Sequence, residues 1–261
     1  MFLLRKHRII MKYLYSFLIF SFVSVFSYSQ ALNDIKLEAD SAFASEQYTK
    51  AIDLYKNTLE KTESADICYN LGCCYYRIDS IAQSILWFER AKLLDSGDED
   101  IRFNLELARG KTIDKITPLH EIFFVSVYRD IVNMFNLHEW AAFSIAFFLI
   151  FLLGIMVCFF SNRSVFRKIG FSVAVLFLLL CVLGNVFAVQ QNKYSENRKC
   201  GIILPAAVTV KSTPAENGND LFVIHEGTKV EILDGSLSDW CEIKIADGKI
   251  GWILKNVMEV I

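Results

Sequence analysis

The chain has 261 residues, with 27 Lys and Arg against 29 Asp and Glu, a formal charge of -2 at pH 7. Hydrophobic residues make up 54%, and only 12 Gly and 3 Pro are present, which excludes disordered, collagen-like and low-complexity chains, since each needs a polar or Pro/Gly-rich composition. A mean hydropathy of +0.35 is too high for a plain soluble enzyme and points to membrane segments, while the near-zero net charge argues against a nucleic-acid binder, which would carry a basic stripe.

Charge is unevenly spread: +4 over residues 1–30, -5 over 31–117, +1 over 118–189 and -2 over 190–261. Arg5, Lys6, Arg8 and Lys12 precede an apolar run over residues 13–27 that ends in Ser27-Tyr28-Ser29. A basic start, a short apolar core and small residues where a signal peptidase reads predict an export signal over residues 1–29, cleaved after Ser29. Met11 opens an equally good signal, and an uncleaved anchor helix is the alternative. Either way residue 31 lies outside the cytoplasm.

Residues 31–110 carry two segments that align at a period of 33, Ala39, Tyr48, Ala51-Ile52, Tyr55 and Thr58 against Gly72, Ile81, Ser84-Ile85, Phe88 and Ala91. Gly72 and Ala91 are expected where helices cross, with Tyr75 and Phe88 filling the groove between them. A third start follows at Asp98-Glu99-Asp100, where acids favour a helix N-terminus; its single helix is expected to cap the array. This pattern resembles the tetratricopeptide repeat, an all-α array of helix pairs. Cys68, Leu71, Gly72 and Tyr75 share one face of their helix and are expected in the core. Tyr69, Asn70, Tyr76 and Arg77, with Asn104 from the third start, are expected on the concave face. The resemblance implies that Asn70 and Asn104 clamp the backbone of an extended partner peptide, with Arg77 available to an acidic group. A solvated polar face without a ligand is the alternative. The remaining repeat carboxylates read as solvated.

A linker and an amphipathic stretch, residues 111–139, come next. This stretch mixes Phe123, Val127 and Ile131 with Arg129 and Asp130. It suits equally a helix lying in a membrane interface or a packing face for the repeats. Residues 140–162 and 169–192 contain no charged side chain. Each exceeds the ~20 residues that cross a bilayer at ~1.5 Å per residue, which predicts a two-helix transmembrane hairpin. The loop between them, 163–168, carries Arg163, Arg167 and Lys168 and is expected in the cytoplasm. Two crossings return the chain outside, so repeats and C-terminal domain share the periplasm, on the inner membrane of a bacterium.

Beyond Lys199 the pattern has period two: 208–211, 221–224, 229–233, 240–245 and 251–254 read as five short strands, with turns at Glu216-Asn-Gly-Asn, Asp234-Gly235 and Asp247-Gly248. A small all-β barrel over residues 200–261 is expected. Val208-Thr-Val-Lys-Ser-Thr-Pro, His225-Glu-Gly-Thr, Trp240 and Gly251-Trp252 resemble the bacterial SH3-like domain. Trp240 and Trp252 are expected either as barrel core and rim or as a binding platform.

Among seven Cys, Cys200 and Cys241 are candidates for a disulfide in an oxidising periplasm, whereas adjacent Cys73 and Cys74 on a helix cannot bridge without strain. No Gly-rich phosphate loop, His-Glu-x-x-His, Gly-x-Ser-x-Gly or Cys-x-x-Cys is present. No catalytic residue, metal site or cofactor is expected, and the chain reads as a non-enzyme. The order of signal, repeats, helical hairpin and SH3-like domain, with the linker from Asn104 to Ile116, resembles the BatE-type branch of the Bacteroides aerotolerance (Bat) group. That resemblance implies a membrane-anchored adaptor in an aerotolerance-related complex, encoded beside a MoxR-type ATPase. Its implied partners are other membrane proteins, von Willebrand factor A-type Bat proteins among them, with membrane lipid. The second expectation is an envelope-anchoring protein whose SH3-like domain binds cell-wall glycan or peptide.

Overall fold

A computed structural model of the chain describes residues 35–117, 123–197 and 199–261. The expected export signal lies outside the described residues. Five helices come first: α1 (35–44), α2 (Tyr48–Leu59), α3 (Ala65–Arg77), α4 (Ile81–Leu94) and α5 (Glu99–Gly110). The turns joining α1 to α2 and α3 to α4 are built alike. Each holds a non-glycine residue at positive φ, Glu46 at 61° and Asp79 at 60°, at equivalent positions of the 33-residue period. Within the second pair, a Cβ on Gly72 would sit 2.5 Å from the Phe88 ring, so this glycine permits the close crossing expected of it. Ser84, the small residue opposite, donates from Oγ to the Gly72 carbonyl at 2.8 Å. Asp98 caps α5 by accepting from the backbone N–H groups of Asp100 and Ile101.

Helix α6 (Phe123–Val132) leads through a short turn into α7 (Leu137–Phe160) and α8 (Ser164–Asn197). Asn136 and Glu139 form a reciprocal capping box at the start of α7. Segments Glu139–Phe160 and Ser164–Gln191 are long and apolar enough to cross a membrane, and most of their large apolar side chains face outward. The expected loop 163–168 is corrected: α8 begins at Ser164 and takes Arg167 and Lys168 into its first five residues. Charged residues are good helix formers, so charge marks the end of an apolar run without marking the end of a helix.

The C-terminal part is an antiparallel sheet in the order β3-β2-β6-β5-β4-β1-β7. Its strands are β1 (Cys200–Ile203), β2 (Ala207–Lys211), β3 (Asp220–His225), β4 (Lys229–Asp234), β5 (Trp240–Lys244), β6 (Ile250–Leu254) and β7 (Met258–Val260). Seven strands replace the five expected. The additional two are three or four residues long, and β1 is almost wholly buried rather than alternating, so neither has a period-two signature. Among the described residues no pairing joins β3 to β7. Of the disulfide candidates, Cys200 and Cys241 both remain thiols. Strand β4 lies between β1 and β5, which separates the two residues by two strand spacings, about 9–10 Å, beyond the ~7 Å limit for a disulfide.

The helices and the sheet are joined by a continuous core. Ile202 of β1 packs with Ile81, Ile85, Leu86, Phe88 and Leu105 of α4 and α5. The sheet therefore packs against the end of the helical array that α5 was expected to cap. At Gly227 (φ +80°), a Cβ would meet Thr112 at 2.7 Å and Ile85 at 2.9 Å. Both the backbone conformation and the close approach require glycine there.

Candidate partner-binding surfaces

The junction between helices and sheet is held by charge as well as by apolar packing. Glu89 of α4 is 2% exposed. Its Oε1 accepts from Arg109 of α5, and its Oε2 accepts from the Lys229 ammonium of β4 at 2.7 Å. Burial alone would raise the Glu89 carboxyl, but Lys229 and Arg109 outweigh that and hold it below the usual carboxylate range. Next to it on α4, Arg90 donates to Glu259 at 2.9 Å and to the Val260 carbonyl at 2.8 Å.

A second clasp is made by the segment after α5. Asp114 Oδ2 accepts from the His225 backbone N–H and from Thr228 Oγ1, both at 2.7 Å, and its Oδ1 lies 2.8 Å from His225 Nδ1. Partial burial raises the Asp114 carboxyl, but these hydrogen bonds prevail and lower it. Two residues on, Ile116 packs against the sheet core. The expectation that the repeat carboxylates are solvated is therefore corrected for Glu89, while Asp114 belongs to the linker that follows the repeats. Glu89 had a sequence signal: it falls in phase with Ala82, Ile85 and Leu86 on the buried face of α4. Asp114 had none, because its partners lie 111 and 114 residues away. A cleft of about 940 Å³ opens beside this clasp, bordered by Glu106, Arg109, Lys115, Glu231 and Lys244. Its lining mixes both signs of charge. Among the described residues no three His, Cys, Asp or Glu side chains gather to hold a metal ion.

Both clasps depend on carboxylates whose folded values are depressed. Such groups contribute stability that is present above their unfolded values and lost as pH falls through the folded ones. Hydrogen exchange over residues 111–116 and 225–231, corrected for its intrinsic pH dependence, is expected to show full protection at neutral pH. Protection should decline below about pH 4. Undiminished protection at about pH 3 would count against a carboxylate-dependent junction.

The expected repeat face divides into two groups. Asn70 donates to Asp40 at 3.4 Å and to the Tyr55 hydroxyl at 3.3 Å, and Tyr55 donates to Asp40 at 2.6 Å. Burial first, then the Asp40 carboxylate, push the Tyr55 phenol upward, so it remains a donor. Asn104 donates to the Tyr69 hydroxyl at 3.0 Å and to the Asp100 carbonyl at 2.8 Å. Tyr69 also packs against Phe88, with ring centroids 5.7 Å apart, and Tyr76 lies under the Lys111 ammonium at 4.2 Å. Tyr69, Asn70, Tyr76 and Asn104 are thus half-buried, with the polar groups of Tyr69, Asn70 and Asn104 already engaged within the chain, while Arg77 is exposed. Cys73 and Cys74 belong to the same helix. Burial pushes the Cys73 thiol up and the Cys74 thiol to about 12. Burial thus disfavours the thiolate form at both positions.

On the sheet, Cys241, Ile243, Gly251 and Ile253 face the core, and Trp240, Glu242, Trp252 and Leu254 take the alternate positions. Trp240 is paired with Leu254, Glu242 with Trp252, and Lys211 with Trp252. The two tryptophans are therefore diagonal neighbours on one outward face, half-buried rather than in the core, with Glu242 and Lys211 beside them.

Residues 206–259, about a fifth of the chain, match the bacterial SH3 domain family. No curated protein matches the chain. The C-terminal sheet is thus a bacterial SH3 domain, a class that suggests binding to protein or to cell wall, joined here to a helical region and to two long apolar helices.

Proposed function

We propose that this chain is a membrane-anchored adaptor of the bacterial cell envelope, with no catalytic activity of its own. The observation that carries this reading is the fusion of a bacterial SH3 domain to a helical array through the buried Glu89 and the half-buried Asp114, beside two helices of membrane-spanning length. The array reads as tetratricopeptide repeats. Support comes from the 33-residue period, the Gly72–Phe88 crossing and the matched turns at Glu46 and Asp79. An export signal followed by two crossings puts array and SH3 domain together in the periplasm.

Partner recognition is assigned to the α3 face, with Arg77 as its exposed charge and Asn70 and Asn104 exchanging their internal hydrogen bonds for those of a bound peptide. The resemblance to BatE-type proteins favours von Willebrand factor A-type membrane proteins as partners and an aerotolerance-related complex as the setting. A photocrosslinking residue at position 77, in native membranes, is expected to yield adducts with another membrane protein. If position 77 yields none while a probe in the SH3 domain still captures a partner, the array is a spacer and the reading moves to the SH3 domain.

A second reading, wall anchoring, is favoured by the Trp240–Trp252 face, since paired aromatic surfaces flanked by polar groups suit glycan or peptide ligands. Co-sedimentation of the full chain with purified wall material, lost on Trp240→Ala with Trp252→Ala, would support it. Absence of co-sedimentation leaves the adaptor.

A further inference from the structure

Helix α6 has three distinct faces. Val132 is fully buried, and Tyr128 packs on Phe187 of α8 with ring centroids 6.0 Å apart. Arg129, Ser126 and Asp130 form a polar arc by helical phase. Between those arcs, Phe123, Phe124, Val127 and Ile131 share a contiguous apolar stripe and are exposed by 72%, 79%, 38% and 41%. Met134, just beyond the helix, is 60% exposed. A stripe of this kind is not covered by any other part of the described chain.

Its location identifies the occupant. The Trp140 ring lies 5.0 Å from Phe187 and 5.1 Å from Phe135, and Trp140 Nε1 donates to the Val132 carbonyl at 3.0 Å. Tyr128, Phe135, Trp140 and Phe187 thus form one aromatic layer. Trp140 is one residue inside the apolar segment Glu139–Phe160, so this layer marks one end of the hairpin. Rings of Trp and Tyr concentrate where hydrocarbon meets headgroups. The polar side of the same layer is also defined: Gln191 Nε2 donates to Ser96 Oγ at 2.7 Å and to the Phe135 carbonyl at 2.8 Å, where the α4–α5 loop meets the α6–α7 turn. Helix α6 therefore packs on α8 through Tyr128 at one end of the apolar hairpin, and the turn that follows it meets the helical array at Ser96.

We infer that α6 is an interfacial helix whose Phe123–Phe124–Val127–Ile131 stripe inserts into the headgroup–acyl boundary of the bilayer, tying the array to the membrane surface. This rests on the membrane-spanning reading of α7 and α8. The occupant is lipid rather than a second protein because α6 packs on α8 at the aromatic layer that ends a hairpin a bilayer must already cover, and because amphipathic helices of this pattern lie in that plane.

The test uses the full chain in phosphatidylethanolamine–phosphatidylglycerol nanodiscs. A genetically encoded environment-sensitive fluorophore is placed singly at position 127, 130, 153 or 107, and quenching is measured with phospholipids brominated near the headgroup or deep in the acyl chain. Position 153 lies on the outward surface of α7 and position 107 on exposed α5. The shallow bromines are expected to quench position 127 at least about twofold more than position 130, which lies on the polar arc. Position 153 should be quenched by deep bromines and position 107 by neither. Quenching at 153 with none at 127, or equal quenching at 127 and 130, would overturn the interfacial assignment and leave the hairpin intact; equal weak values would indicate a protein-covered or solvated stripe. Absence of quenching at 153 would overturn the membrane reading itself, and the α6 assignment with it.

Discussion

Glu89→Ala is expected to destabilise the chain by about 3 kcal/mol, because it removes the buried carboxylate on which Arg109 and Lys229 converge. The loss is asymmetric. Alanine forfeits two charge-assisted hydrogen bonds and leaves two like charges facing each other across the α4–α5–β4 junction, where Arg109 retains Glu106 as an acceptor at 2.6 Å but Lys229 loses its carboxylate. Both cations are about one-third exposed, so water relieves part of the repulsion and keeps the cost near the lower end of the range for a broken buried pair. Thermal unfolding of the full chain in mild detergent measures the total. Hydrogen exchange localises it, with protection lost first in β1, β4 and the 111–116 segment. A fall of under about 1 kcal/mol would mean that the apolar contacts of Ile202 and Gly227, with the Asp114 and Arg90 hydrogen bonds, join the two parts without Glu89.

The second large effect is expected in the hairpin. A Cβ on Gly170 would lie 2.9 Å from the Gly154 carbonyl oxygen and 3.0 Å from the Cys158 nitrogen, and a Cβ on Gly154 would lie 3.0 Å from Ala174 N and Gly170 O. These are backbone atoms of two regular helices, so no side chain can swing aside. Small residues on both sides make this close crossing possible, and in a bilayer such packing replaces the hydrophobic drive between helices. Gly170→Ala is expected to cost about 1–3 kcal/mol by forcing α7 and α8 apart. Gly110→Ala serves as the control, since a Cβ there meets nothing within 4 Å, and it should be neutral or slightly stabilising. Equal thermal stability of the two variants would show that the crossing tolerates separation. Farther along the hairpin, Ser144 accepts from Asn185, which also donates to the Cys181 carbonyl at 2.9 Å. These bonds hold the register at the end nearest α6, so the separation in Gly170→Ala should be greatest toward the α7–α8 turn.

The fixed junction would alter how the proposed adaptor works. Two binding modules on a flexible tether gain affinity through effective concentration, which depends on linker length. Here Asp114, Glu89 and Arg90 dock the SH3 domain on the array, and Gln191 and Ser96 dock the array beside the hairpin. Partners would meet surfaces at set spacing rather than independently mobile modules.

What the sequence determined by itself was everything governed by local periodicity or composition. The 33-residue repeat located α1 to α5 because each helix pair buries the same small and aromatic positions. Two uncharged runs located α7 and α8, and period-two alternation with Asp-Gly turns located β2 to β6. Identification of the SH3 domain rested on short motifs within that pattern. Strands β1 and β7 were illegible because three or four residues cannot display a period, and the start of α8 because Arg167 and Lys168 are as compatible with helix as with loop. Only the tertiary structure decided how the parts meet. Glu89 is charged yet buried, a choice made tenable by Arg109 of the next helix and by Lys229, 140 residues away. Asp114 looks like a linker residue until His225 and Thr228 are brought to it. Trp240 and Trp252 took the outward face because strand register, set by pairing between distant segments, assigns alternate residues to opposite sides. Local sequence encodes elements through short-range sterics and periodicity, whereas partners across more than a hundred residues leave no local trace and are specified only when the cores of helices and sheet become one.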